Sequence, residues 1–305
     1  MIWVFVMKMN IALAANELFA IPCMVAIVSV LENNKHNECV VYVLTTGFSK
    51  KTKEKFAKLS AAYKQKIEIV TMDSSRLAGV SVDPVFSIMT YFRFFLPGLL
   101  IKEDKVLYLD CDMIVRGALD DLYRVDVSEK ACAVVEDQWA DDVRAKNRLN
   151  VDAPTFNAGM LVMNLKYWRA NDLAQKCIDY LVQNKEKCIY CDQDAMNALL
   201  ENRVVYLPYR YNVQAGWLEN LNEIPFHHSK WKTLKNEIEN AVIMHYSMRI
   251  KPWHKESTHR YKDEFLHYAN LHAFIGFSVK PYYPIKSRVF RKLSYLCKKM
   301  SDKLR

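Results

Sequence analysis

The strongest constraint on the fold is a repeating order of buried-strand and helical patterns in the first third of the chain. Residues 11–15, 39–45, 67–72 and 106–109 are short, nearly unbroken apolar runs, as expected of strands covered on both faces. Between the first two, residues 21–31 are apolar around most of a helical circumference, which predicts a core helix. Between the second and third, residues 49–62 open on Ser49, a good N-cap, and carry Phe56, Leu59 and Tyr63 at helical spacing. This β-α-β-α-β order predicts a parallel sheet with right-handed crossovers. Further strands are expected at 130–135, 160–164, 204–207 and 241–245, and helices near 166–184 and 192–202. No low-complexity linker or repeat interrupts the series. The reading is therefore one α/β domain over residues 1–260 with a C-terminal extension, 261–305.

Charge separates that extension from the body. The chain carries a formal net charge of +9. Within residues 280–305, nine bases (Lys280, Lys286, Arg288, Arg291, Lys292, Lys298, Lys299, Lys303 and Arg305) face one acid, Asp302. The body is thus almost neutral, which argues against nucleic acid as a partner. Ile285, Val289, Leu293, Leu296 and Met300 recur at steps of 4, 4, 3 and 4, and the cations fill other faces. That is the pattern of a basic amphipathic helix suited to an anionic membrane surface, where each cation contributes ~1 kcal/mol. Packing of the helix on the body is the alternative. No apolar run approaches the ~20 residues needed to span a bilayer. The apolar opening, residues 1–7, lacks the basic start and small-residue cleavage site of a signal peptide, and Met1, Met7 and Met9 are alternative starts. The expected setting is the cytoplasm, at the inner face of its membrane. The eight cysteines then read as reduced thiols, and Cys188 and Cys191, though spaced CxxC, have no second ligand pair.

The chemistry is concentrated after the fourth strand. Lys105-Val106-Leu107-Tyr108-Leu109 runs directly into Asp110-Cys111-Asp112. On extended backbone, side chains two residues apart project to one side, so both carboxylates could face one divalent ion. The C-terminal end of a strand is also where open α/β sheets place their crevices. Solvated surface acids would give the same pattern. Three further segments follow in order: Phe156-Asn157-Ala158-Gly159-Met160, Cys191-Asp192-Gln193-Asp194, and His245-Tyr246-Ser247 leading to Lys251-Pro252-Trp253-His254.

Taken together, over roughly residues 9–260, these motifs resemble glycosyltransferase family 8, the retaining GT-A enzymes that include bacterial lipopolysaccharide galactosyl- and glucosyltransferases and glycogenin. The resemblance implies a GT-A fold, with a Rossmann-like, mostly parallel central sheet flanked by helices. It implies that Asp110, Asp112 and His245 hold Mn2+, or Mg2+, on the diphosphate of a UDP-sugar, and hard carboxylates with one imidazole suit that ion. Lys251 matches a lysine on the diphosphate. Arg93 and Asp137 match donor-sugar contacts, with a salt bridge between loops as the alternative for both. Asn157 and Ala158 match the sugar-acceptor lining, and Asp192 and Gln193 the pair nearest the reacting carbon. The nucleotide side maps onto Ala14, Ala15, Asn16 and Phe19, together with Asp110, Cys111 and Asp112.

The chain departs from the family pattern in two places, at Asn16, Leu18 and Phe19 and at Met248. Ala14-Ala15-Asn16-Glu17-Leu18-Phe19 stands where the family has Ala-Ala-Asp-x-Asn-Tyr, so Leu18 lacks a polar contact and Phe19 a phenolic hydroxyl. Met248 replaces a glycine. The expected activity is transfer of galactose or glucose from UDP-galactose or UDP-glucose to a glycolipid or oligosaccharide hydroxyl, with retention by same-face attack. A self-glucosylating enzyme and a metal-dependent phosphohydrolase are the competing readings.

Overall fold

The computed structural model of the chain describes residues 6–81, 87–219 and 228–282. The strands are β1 (Lys8–Ala14), β2 (Glu38–Thr45), β3 (Lys66–Thr71), β4 (Lys105–Leu109), β5 (Met113–Val115), β6 (Cys132–Glu136), β7 (Phe156–Asn164), β8 (Val204–Tyr206), β9 (Val213–Gln214) and β10 (Ile243–His245). The α-helices are α1 (Ala20–Asn33), α2 (Lys50–Tyr63), α3 (Leu96–Leu99), α4 (Asp120–Arg124), α5 (Val143–Leu149), α6 (Leu165–Ala170), α7 (Leu173–Gln183), α8 (Asp192–Leu200), α9 (Gly216–Glu219), α10 (His228–Glu239) and α11 (Lys262–Asn270). A 3-10 segment, Ile88–Phe95, precedes α3.

Seven strands form the main sheet in the order β3-β2-β1-β4-β7-β6-β8, and β5-β10-β9 form a small second sheet. In the main sheet β7 runs antiparallel to both of its neighbours, and every other pairing is parallel. Helices flank both faces because both are apolar. In β1 and β4, Met9, Ile11, Leu13, Leu107 and Leu109 enter one core with α1, while Ala12, Val106 and Tyr108 enter the other with α7 and α8. That is the mixed, mostly parallel α/β architecture expected. Ser49 caps α2, its hydroxyl accepting a bond from Thr52 N at 3.2 Å.

Three features were not expected from the sequence. The helix read over 166–184 is two helices, because Asp172 takes a left-handed backbone (φ 50°), which a short polar side chain tolerates. The short strands β5 and β9 were not foreseen, since two or three residues carry no readable period. The boundary at residue 260 has no counterpart in the packing. Phe265, Ala269 and Ile275 are buried in the same core as β1 and α1, and Lys55 Nζ donates to Ile275 O at 2.6 Å. The described chain beyond 260 thus belongs to the body, which it rejoins at Lys280, whose N–H bonds Trp253 O at 2.9 Å. The basic helix expected over residues 285–300 lies outside the described residues.

If α11 is part of the body, Phe265→Ala lowers its stability by about 3–5 kcal/mol. Urea unfolding followed by circular dichroism would show one transition moved to a lower midpoint; an unmoved midpoint would separate α11 from the core.

Candidate active site

The site forms where the chain steps from one sheet to the other. β4 ends at Leu109 in the main sheet and β5 begins at Met113 in the small one. Asp110, Cys111 and Asp112 are the turn between them. The two carboxylates therefore share a side because of a turn, rather than the extended backbone expected from their spacing. His245, the last residue of β10, pairs directly with Met113, and Tyr246 N bonds Asp112 O at 2.9 Å. One ligand atom each from Asp110, Asp112 and His245 lies within 4.8 Å of the others.

Fixed cations meet this negative charge. Asp112 Oδ2 lies 2.6 Å from Lys251 Nζ, and its Oδ1 lies 3.3 Å from His245 Nε2. Burial opposes charge on Asp112, but the Lys251 ammonium beside it holds its carboxyl well below the usual range. Asp110 Oδ1 accepts bonds from Arg93 Nη2 at 3.0 Å and the Tyr108 hydroxyl at 3.1 Å. β7 presses on the cluster from one side. A Cβ on Gly159 would stand 2.6 Å from His245 Cε1 and 2.8 Å from Asp110 Oδ2, so only glycine fits there. Two carboxylates and an imidazole converging on one point fit Mn2+ or Mg2+.

Arg93 is 2% exposed and ties this centre to the start of α8. Its Nε lies 3.0 Å from Asp192 Oδ2, Nη1 donates to Ala158 O, and its Cζ sits 4.2 Å from the Tyr108 ring centroid. Arg93 thus pairs with Asp110 and Asp192. Thr90 Oγ1 donates to the other oxygen of Asp192. Burial pushes the Asp192 carboxyl up to about 6, against the pull of Arg93.

Asn157, Ala158, Gln193 and Asp137 meet beside it. Gln193 Oε1 accepts from Ala158 N at 3.1 Å and Asn157 Nδ2 at 3.2 Å, while Gln193 Nε2 donates to Asp137 Oδ2 at 3.3 Å. Burial pushes the Asp137 carboxyl up.

At the positions expected to face a nucleotide, Ala14 ends β1 and its carbonyl accepts from the Cys111 thiol at 3.2 Å. Ala15 N bonds Leu44 O at 2.9 Å. Asn16 Oδ1, expected to face a base, accepts from Phe19 N at 3.1 Å, and Asn16 Nδ2 donates to Ser87 Oγ at 3.3 Å. Phe19 is partly exposed and meets Trp253 edge-on at 5.9 Å.

The family model described as glycosyl transferase family 8 matches residues 10–257. The chain belongs to glycosyltransferase family 8. It is 28% identical over 251 residues to the lipopolysaccharide 1,2-glucosyltransferase of Escherichia coli K12, covering 81% of this chain and 73% of that protein. It is 26% identical over 268 residues to the lipopolysaccharide 1,3-galactosyltransferase of Salmonella typhimurium LT2, covering 85% and 77%. Among solved structures, the galactosyltransferase LgtC in complex with donor and acceptor sugar analogues superposes with a TM-score of 0.77 at 26% identity, covering 92% of this chain and 99% of that one. This family 8 chain is a hexosyltransferase with the GT-A fold.

The motifs named residues that the structure brings together in this family 8 enzyme, but not what holds them. Thr90 and Tyr108 were missed, and so was Asn212, whose Oδ1 sits 3.0 Å from His245 Nδ1. Arg148, which grips the buried Asp194 through both Nη atoms and so fixes the start of α8, was missed too. Tyr108 lies in the strand leading into Asp110 but was read there only as an apolar position, and Thr90, Asn212 and Arg148 lie outside the four motifs; the polar residues interrupting apolar runs near 90 and 212 were the available signal. Gly159→Ala is expected to weaken Mn2+ binding at least ~10-fold, as perturbed ligand surroundings typically do. Calorimetry in the presence of UDP would read this, and unchanged affinity would refute the steric account.

Proposed function

We propose that this enzyme transfers galactose or glucose from a UDP-sugar to a hydroxyl of a lipopolysaccharide or related glycolipid, with retention at the anomeric carbon. The observation that carries the reading is the meeting of Asp110, Asp112 and His245 at the sheet junction, with Lys251 beside them. These three residues would hold Mn2+ or Mg2+. Bound there, the ion supplies charge stabilisation to a departing diphosphate. The Lys251 ammonium, 2.6 Å from Asp112, is placed to share that charge. Asp137, Gln193 and Asn157 offer directional partners for sugar hydroxyls, which favours one epimer over another. The relatives' names, a 1,2-glucosyltransferase and a 1,3-galactosyltransferase of lipopolysaccharide, support the acceptor class.

Asp192 is 3% exposed, with one oxygen on Arg93 and the other on Thr90. A carboxylate so buried and ion-paired with a guanidinium is a poor nucleophile, which favours same-face attack. In that step the bond from the anomeric carbon to the phosphate oxygen breaks and the acceptor oxygen bonds to the same face. The acceptor's proton passes to the departing phosphate. Among the described residues the metal-ligand cluster is this set of three, fewer carboxylates than a two-ion phosphohydrolase site uses.

The purified enzyme with Mn2+ and a panel of UDP-sugars should release UDP faster when a lipopolysaccharide-core acceptor is present. Asp112→Asn and His245→Ala should each lower kcat/KM by ~100-fold or more, a loss comparable to that of a transition-state charge donor. Release of UDP from all sugars at equal rates without acceptor would contradict transfer.

The basic residues of 280–305 are proposed to hold the enzyme at an anionic membrane, on the cytoplasmic face. No helix among the described residues is long and apolar enough to cross a bilayer. Lys280, the first of these basic residues, is paired with the backbone of Trp253 and Lys255, two and four residues after Lys251, which places it near the site. Removing residues 283–305 should abolish sedimentation with anionic vesicles and leave turnover of a soluble acceptor intact; undiminished sedimentation would reject the anchor.

A further inference from the structure

The side-chain amides around the site can be oriented from the backbone upward. Gly159 N–H points at one atom of the Asn157 amide, at 3.0 Å, and a backbone N–H can only donate, so that atom is Oδ1. The same oxygen faces the Asn212 amide at 2.9 Å, so the facing atom of Asn212 is its donor, Nδ2. Asn212 Oδ1 then faces the imidazole of His245, 3.0 Å from Nδ1, and an oxygen there requires the proton to sit on Nδ1. In the neutral ring the lone pair belongs to Nε2, the atom that faces Asp112 at 3.3 Å. A second backbone donor, Ala158 N, fixes Gln193 in the same way, leaving Gln193 Nε2 and Asn157 Nδ2 to donate to Asp137 Oδ2, each at 3.3 Å. Every donor therefore points from His245 towards the Asp137 carboxylate. Asn212 is the link between the two ends and is 0% exposed, so water cannot substitute for it.

We infer that Asn212 is a positioning residue that fixes His245 as the Nδ1–H tautomer, presents its Nε2 lone pair to the cation, and couples the cation ligands to the sugar-facing pair Asp137 and Gln193. The coupling to a cation rests on the function proposed above; the tautomer does not. Loss of the amide frees the ring to protonate on Nε2, the atom a cation needs. It also removes one of the two donors to Asn157 Oδ1, so the sugar-facing amides lose their fixed direction.

The test compares Asn212→Leu and Asn212→Asp with the wild type. In metal-free enzyme, long-range 1H–15N correlations of the His245 ring, assigned against His245→Ala, should show Nδ1–H in wild type and in Asn212→Asp, and loss of the single tautomer in Asn212→Leu. Mn2+ affinity, read from the free-ion electron paramagnetic resonance signal, should fall ~10–100-fold in Asn212→Leu and be largely kept in Asn212→Asp, which retains an acceptor for Nδ1–H. Asn212→Asp should instead raise the KM for the UDP-sugar, because it no longer donates to Asn157. Nε2–H in the wild type, or an unchanged tautomer and unchanged Mn2+ affinity in Asn212→Leu, overturns the inference. Wild type with Nδ1–H but no Mn2+ uptake sustains the positioning role and overturns the proposed cation site instead.

Discussion

The architecture depends on compensating several carboxylates brought together in a poorly solvated place. Asp110 and Asp112 sit two residues apart in a turn, and Asp192 and Asp137, both buried, lie close by. Unpaired, such charges would repel and cost several kcal/mol each to desolvate. Two fixed cations reach them from different elements. Arg93, from the 3-10 segment before α3, bridges Asp110 and Asp192, and Lys251, from the loop after β10, covers Asp112. Lys251, proposed to share the charge of a departing diphosphate, and Arg93 thus also hold the sheets and α8 in register.

The reversed strand β7 supplies the other half of the design. Because it runs antiparallel to β4, its beginning lies beside the end of β4, where Met160 pairs with Leu109. A parallel strand entering there would have offered its C-terminal end instead. The reversal brings Asn157, Ala158 and Gly159 to the site as backbone as well as side chain. Gly159 lets the strand approach His245 and Asp110, while the Ala158 and Gly159 N–H groups set the direction of the amides around them. The rigid ladder of a central strand is a better base for such orientation than a loop.

Much of this was legible in the residue order. The β-α-β-α-β rhythm indicated the parallel half of the sheet because strands buried on both faces are apolar throughout, and Ser49 marked the start of α2 because capping is a local interaction. Asp110, Asp112, His245 and Lys251 could be named from four ordered motifs. Legibility ended where one residue serves two distant segments. The break between α6 and α7 rests on the backbone of one residue, Asp172. The two-residue strand β9 exists only because β10 is there to pair with it.

By itself the sequence determined which groups carry charge, which runs must be buried, and that the net positive charge lies at the C-terminus, since these are properties of residues and their near neighbours. Tertiary structure alone decided that Arg93 pairs with Asp110 and Asp192, that the described residues just past 260 join the core, and that Asn212 faces His245 from 33 positions away. Those facts depend on directional contacts of a few ångströms between segments far apart in the chain, and no local pattern encodes such a distance.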